Sequence, residues 1–230
     1  MRVNRFYFKT LSGERKIYLS EGDLFHQIRR VLKLRPGDII SLFREDLEVW
    51  YQIESWDKKG LSLKYIKEID LEKKNLPFIT LYQSLIKKDK FEWIVQKAVE
   101  LGVGRIVPII SARSEKKGLN LDRLNKISLE ASEQSGRHDY VEISEIVKFN
   151  EALLSLSGQS FLGEFSGDKW TSDIELKESI NIFIGPEGGW TPEELSLAKK
   201  HQIKFLSLNN YILRSETASI AFLSLLTNSK

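Results

Sequence analysis

The sequence predicts an α/β chain in two parts: a small β-rich unit with one helix, then a domain built on a mostly parallel sheet. Three observations carry this. Short strand-like segments separated by turns fill the first seventy or so residues. A charged run, Lys67 to Asn75, breaks that pattern. Beyond it, strands and helices alternate.

In the first part, Arg5–Lys9, Lys16–Leu19, Asp38–Phe43, Val49–Ser55 and Leu61–Lys67 mix β-branched or aromatic residues with polar ones, as half-buried strands do. Ser12-Gly13, Pro36-Gly37 and Lys58-Lys59-Gly60 supply the turns. One helix is expected over Gly22–Leu34, with Leu24, Ile28, Val31 and Leu32 as its apolar stripe and Ser20 with Asp23 as a capping box. Five strands and one helix in so short a segment predict a small β-barrel over residues 1–70. Residues 71–76 read as a linker and 77–230 as the second domain.

In the second part, Pro77–Leu85 reads as a strand. Lys90–Leu101 reads as an amphipathic helix, with Phe91, Ile94, Val95, Ala98 and Val99 on one face and Gly102 at its end. Arg105–Ile110 follows as a strand and Leu121–Ser135 as a helix closed by Gly136. Ser160–Glu164, Ile180–Ile184 and Ile203–Leu208 read as further strands, and Thr191–His201 and Ser215–Leu226 as further helices. Such alternation implies parallel strands covered on both faces.

Composition narrows the chemistry. The 230 residues contain no cysteine, which removes disulfides, thiolate nucleophiles and cysteine-built metal sites and fits a reducing, cytoplasmic setting. The three histidines, His26, His138 and His201, are far apart, so no metal site is expected. No apolar run has the length of a membrane span. The net charge is +3, but residues 1–75 carry an excess of four positive charges and the remainder an excess of one negative. Leu24–Gly37 holds Arg29, Arg30, Lys33 and Arg35 with no acid, which suits either a phosphate-binding stripe or a solvated helix face.

Ligands of open α/β sheets bind beyond the carboxyl ends of strands. Two strand ends carry unusual sequence. Gly185-Pro186-Glu187-Gly188-Gly189 follows a buried strand, and Thr191, Pro192 and Glu194 then mark a helix start with N-cap, N1 proline and capping box. This is neither a P-loop nor a G-x-G-x-x-G fingerprint, so a ligand there meets peptide groups and Glu187 rather than a phosphate cradle. The second, Leu208 to Ala218, is again strand, loop and helix, with Asn209-Asn210 as a turn, Ser215 as a cap, and Arg214 and Glu216 at the helix entrance. A third polar segment, Glu130 to Arg137, sets Glu130, Glu133, Gln134 and Arg137 on neighbouring helical faces.

These blocks, together with Asn4-Arg5-Phe6-Tyr7-Phe8, His26 to Lys33, Lys97 to Val103 and Ser111-Ala112-Arg113-Ser114, occur in one order along nearly the whole chain. In that order the chain resembles the RsmE family of bacterial 16S rRNA uridine N3-methyltransferases, of the SPOUT class. The resemblance implies a PUA-like β-barrel that grips RNA, and a SPOUT domain whose chain forms a trefoil knot. It implies S-adenosylmethionine (SAM) as cofactor, a homodimer, and 16S rRNA of the small ribosomal subunit as partner, with methylation at uridine 1498 in standard 16S numbering. Matching the family's cofactor loops are Leu162, Gly163, Gly185, Pro186, Glu187, Gly188, Gly189, Leu208, Asn209, Ile212, Leu213 and Thr217. Arg214 and Glu216 are the implied catalytic pair: Arg214 to bind a phosphate or the uridine oxyanion, Glu216 as base or as a partner orienting Arg214. Arg5, Arg29, Arg30, Lys33 and Arg137 are the implied RNA contacts. The chain departs from the family at Asn209, Tyr211 and Val141, where Gly, Arg and Pro are usual. Asn209 is expected to keep the turn by taking a left-handed φ. Two other readings stay open: a SPOUT enzyme that methylates a ribose 2′-hydroxyl or a tRNA base, and an RNA-binding protein without catalysis.

Overall fold

The computed structural model describes residues 3–20, 22–71, 76–115 and 118–228. It divides into two compact units, residues 1–74 with 132–140, and residues 75–131 with 141–230.

The first unit holds β1 (Asn4–Tyr7), β2 (Lys16–Ser20), β3 (Ile39–Arg44), β4 (Leu47–Trp56) and β5 (Gly60–Ile69) in the order β1-β3-β4-β5-β2. β1 runs parallel to β3, and the other pairs are antiparallel. The ladder is an open five-stranded sheet; among the described residues β1 and β2, four and five residues long, each pair on one side only. Closure of the expected small β-barrel is not found among the described residues. All five expected strands are present. The fifth runs to Ile69, so the charged run begins inside a strand, and residues 72–75 of the expected linker lie outside the described residues.

The expected helix is α1 (Asp23–His26) followed by a π-helical turn over Gln27–Val31. Bonding from i to i+5 rotates each residue less than in an α-helix, so the i+3 and i+4 spacing stops stacking on one side. Phe25 and Ile28 are therefore buried, whereas Val31 and Leu32 are 63% and 39% exposed. Ser20 ends β2 and caps nothing; Gly22 stands at the N-cap position without a side-chain bond.

Arg5 organises the contribution of residues 132–140 to this unit. It donates to Glu48 through Nε (3.1 Å) and Nη2 (2.7 Å) and to the Arg137 carbonyl (2.9 Å), and lies 4.4 Å over the Phe43 ring. Glu48 also accepts from Ser41 at 2.6 Å and faces His138 at 3.0 Å. The Tyr7 amide donates to Glu133 at 3.0 Å. These long-range bonds explain why a segment read from sequence as part of residues 77–230 packs with the first unit.

The second unit is an all-parallel six-stranded sheet, ordered β11-β9-β10-β6-β7-β8. Its strands are β6 (Phe78–Ser84), β7 (Arg105–Ile110), β8 (Val147–Lys148), β9 (Gln159–Lys169), β10 (Ser179–Ile184) and β11 (Lys204–Ser207). Alternation along the strands splits the core. Ile79, Leu81, Phe161, Ile180 and Ile182 face α2 (Lys88–Glu100), α3 (Leu121–Ser135) and α6 (Ser215–Asn228). Tyr82, Leu162 and Phe183 face α4 (Phe149–Ala152) and α5 (Pro192–Lys200). The strand β8, helix α4 and a 3₁₀ turn over Leu153–Ser155 are additions to the expected elements. Among the described residues no helix is long and apolar enough to cross a membrane.

Candidate active site

Because every strand of the second sheet runs the same way, the segments leaving β10 and β11 emerge at one edge, where the middle of the long strand β9 also comes close. They enclose a pocket of about 440 Å³, within the usual range for small-molecule sites. Gly163 to Phe165 form one wall, Ile184 to Trp190 a second, and Leu206 to Asn209 with Tyr211 to Ser215 a third; Ala218 and Phe222 of α6 close the floor.

The glycine turn is built by its own residues. Gly189 donates to the Pro186 carbonyl at 2.9 Å and has φ +66°, a left-handed value that favours glycine. The following helix starts as its sequence predicts: Thr191 accepts from the Glu194 amide at 3.3 Å, and Glu194 accepts from the Thr191 amide at 2.9 Å. Trp190 is buried behind the turn and donates from its indole to Gly163 O at 3.1 Å. It packs so close to Gly185 that a Cβ there would lie 3.0 Å from the ring. Arg113 donates to Gly188 O at 2.7 Å.

The third wall turns without a left-handed asparagine, because Asn209 is not among the positive-φ residues. Its side chain instead accepts from the neighbouring Asn210 amide at 2.7 Å, and Ser207 Oγ donates to Asn209 O at 3.2 Å. Tyr211 and Ile212 stand on the rim, 77% and 80% exposed. Ser215, expected as a helix cap, turns inward and donates to Gly185 O at 2.6 Å.

Of the residues matched to cofactor loops, Gly163, Gly185 to Gly189, Leu208, Asn209, Ile212 and Leu213 line this pocket. Leu162 points to the opposite face of the sheet, into the α4–α5 core, and Thr217 is exposed on α6 away from the lining. Arg214 is on the wall and exposed. Glu216 is beside the pocket but off its wall. Its Oε1 is 3.3 Å from Lys90 Nζ, and its buried Oε2 has no hydrogen-bond partner among the described residues. Lys90 also reaches Glu187 at 3.2 Å; the bonds it donates to Glu187 and Glu216 and the charge of both acids raise the lysine pKa despite some desolvation. Arg214 and Glu216 therefore do not form the entrance ion pair that their spacing allows: Glu216 turns to Lys90 on α2.

Among the basic residues, Arg30 and Lys33 are exposed, and Arg29 donates to Asp57 O at 2.8 Å while lying over Phe25 and Trp56. The Arg5 and Arg137 side chains are engaged inside the unit, on Glu48 and on Asp139. Sequence reasoning missed Gln83, Lys90, Arg113 and Trp190. Two of them carried a signal: Trp190 follows the glycines directly, and Arg113 lies in the Ser111-Ala112-Arg113-Ser114 block.

A family described as "RNA methyltransferase domain" matches residues 72–227. A Rickettsia conorii protein named ribosomal RNA small subunit methyltransferase E is 32% identical over 229 residues, covering 96% of this chain and 93% of its own. An Aquifex aeolicus protein of the same name is 30% identical over 231 residues, covering 97% and 98%. Among solved structures, ribosomal RNA small subunit methyltransferase E from Neisseria gonorrhoeae bound to S-adenosyl methionine matches with TM-score 0.87 and 29% identity, over 97% of this chain and 96% of that one. Glycine-lined pocket, parallel sheet and near full-length likeness agree, and the chain belongs to the ribosomal RNA small subunit methyltransferase E family of RNA methyltransferases.

Proposed function

We propose that the protein methylates N3 of a uridine in 16S rRNA with SAM as donor. The observation that carries this is the pocket at the strand ends. Its walls are apolar side chains (Ile184, Leu206, Leu208, Leu213) and glycine backbone, which suit an adenosine. Its acids, Glu164 and Glu187, outnumber its one cation, Arg214, which suits a positively charged sulfonium. The residues present thus fit the group. Gly163, Gly185 to Gly189, Leu208, Asn209, Ile212 and Leu213 would hold it. When bound, it supplies an electrophilic methyl carbon.

The chain's own residues then have two tasks. The walls fix the acceptor's approach, and orientation of this kind is worth roughly 7–11 kcal/mol in well-aligned cases. Arg214 stabilises the negative charge that develops on the uridine oxygens as N3 loses its proton. Glu216 is held on Lys90 and off the wall. Its other oxygen, Oε2, is buried, so Glu216 reaches an acceptor in the pocket only by moving, and Arg214, which is on the wall, has the larger effect. N3 lies on the Watson–Crick edge, so the uridine must be unpaired or flipped.

The proposal extends to the architecture. The first unit acts as a PUA-like RNA-gripping module, with Arg29, Arg30 and Lys33 as phosphate contacts. The second carries a trefoil knot, supported by the return of Ser215 to bond Gly185 after the chain has passed through β11. A homodimer is supported by Phe165, Tyr211 and Ile212, apolar and more than half exposed around the pocket. Action on ribosomal RNA sets the reaction in the cytoplasm. Calorimetric titration with SAM tests the core of the proposal. Saturable one-site binding that is lost in Gly185→Val is expected, and no binding by the folded wild-type protein refutes it.

A further inference from the structure

Gln83 breaks the pattern of its strand. By alternation it shares a face with Ile79 and Leu81, which lie in the apolar core, and it is fully buried. A buried amide is costly unless every group is bonded. Here each is. Nε2 donates to Ser84 O and to Ser215 Oγ, both at 3.0 Å, and Oε1 accepts from Ser219 Oγ at 2.5 Å. Ser215 Oγ, having accepted from Gln83, has its own hydrogen left to give, and gives it to Gly185 O. Ser219 Oγ also lies 3.0 Å from the Ser215 carbonyl of its own helix, so its one hydrogen is shared; from Gln83 through Ser215 to Gly185 the donors run one way, each bond polarising the next. The series ends on the glycine turn that walls the pocket. The peptide after Gly185 has no N–H, because Pro186 follows, so its carbonyl is the one polar group by which that peptide can be anchored.

We propose that Gln83 is a positioning residue for the cofactor pocket: through Ser215 it fixes the Gly185 carbonyl, and so holds the turn from β10 against the start of α6. The inference rests on the reading that this pocket binds SAM. Removing Gln83 frees the turn from outside the pocket, whereas Ser215 is itself a residue of the third wall; if Gln83 acts through Ser215, the two removals have one consequence, not two.

The experiment compares wild type with Gln83→Met, Ser215→Ala and the double variant. Each is measured by calorimetry with SAM, by amide hydrogen exchange in the cofactor-free protein, and by KM for SAM and for RNA. Each single variant is expected to weaken SAM binding at least tenfold and to raise KM for SAM but not for RNA. Exchange should speed up over residues 185–189 while β6 and β7 stay protected. The double variant should bind no more weakly than the weaker single one. Folded variants that bind SAM within twofold of wild type, or losses that multiply in the double variant, overturn the proposal. If Gln83→Met does not fold, Ser219→Ala takes its place by the same measures, since Ser219 donates to Gln83 from outside the pocket lining. Failure of wild type to bind SAM refutes the functional reading instead, and exchange at 185–189 still decides whether the series holds the turn.

Discussion

Replacing Arg5 by methionine separates two roles that sequence alone leaves together. In the structure the Arg5 side chain is 14% exposed and its Glu48 partner 6%. Removing the guanidinium leaves a buried carboxylate with only Ser41 and His138 beside it. Breaking a buried pair from one side costs about 3–5 kcal/mol. The bond to the Arg137 carbonyl adds about 1 kcal/mol, and the contacts Glu48 keeps offset part of the total. A net loss of roughly 3–4 kcal/mol is expected, or roughly 6–16 °C in Tm for a chain of this size. The assay is urea denaturation followed by exchange protection in β1, β3 and β4, so that the first unit is read by itself. Arg5→Met/Glu48→Met should recover most of the loss, because replacing both partners by apolar groups is often close to neutral. If Arg5→Met loses less than 1 kcal/mol of stability and instead weakens RNA binding with a shallower salt dependence, Arg5 is a phosphate ligand and the reasoning fails.

The same cluster sets an acid limit. Burial alone would raise the Glu48 pKa, but bonds from Arg5 and Ser41 outweigh it and hold the carboxyl below its ordinary 4.5. Burial and the nearby Arg5 charge lower the His138 pKa despite the opposing pull of Glu48. Both shifts mean the unfolded chain takes up protons first, so stability of this unit should be full above about pH 6.5, decline below it, and fall further as Glu48 titrates under 4.5; a pH-independent melt between 4 and 7 contradicts this. Gly185→Ala places a Cβ 3.0 Å from the Trp190 ring, which its bond to Gly163 holds in place, so a stability loss of about 1–3 kcal/mol with weaker SAM binding is expected in melting and calorimetry. Arg214→Met should lower kcat by about 10²–10³ with SAM affinity little changed, as loss of one oxyanion partner does; an unchanged kcat removes its assigned role. Glu216→Gln should keep kcat within about tenfold and leave the pH profile in place, whereas loss of a general base costs about 10²–10⁴.

Periodicity made the fold legible where burial obeys it. The strand Ile180–Ile184 and the helix Lys88–Glu100 declare themselves because one face of each is core. The helix start at Thr191 was legible for a different reason: cap, proline and acid are local chemistry. What stayed hidden is what depends on partners far along the chain. Val31 and Leu32 read as core until the π turn rotates them outward. Arg5 and Arg137 are implied RNA contacts, and nothing local in the sequence announces their ion pairs with Glu48 and Asp139. The glycine wall of the pocket was readable, since a glycine run after a buried strand is a local signal. Its supports were not: Gln83 is one of three polar residues, with Thr80 and Ser84, in a buried strand, and Lys90 meets Glu187 and Glu216 only across 97 and 126 positions of chain.

On the function proposed above, the pocket delivers a methyl group to a ring nitrogen of one small-subunit uridine. Unmodified 30S particles, bare 16S rRNA and bulk tRNA can each be incubated with the protein and methyl-labelled SAM, then digested to nucleosides and resolved by mass spectrometry. Label is expected in N3-methyluridine from 16S rRNA at a single position, and is expected to be lost in Arg214→Met. Label on a ribose 2′-hydroxyl or in a tRNA base, or none with a protein that binds SAM, contradicts it.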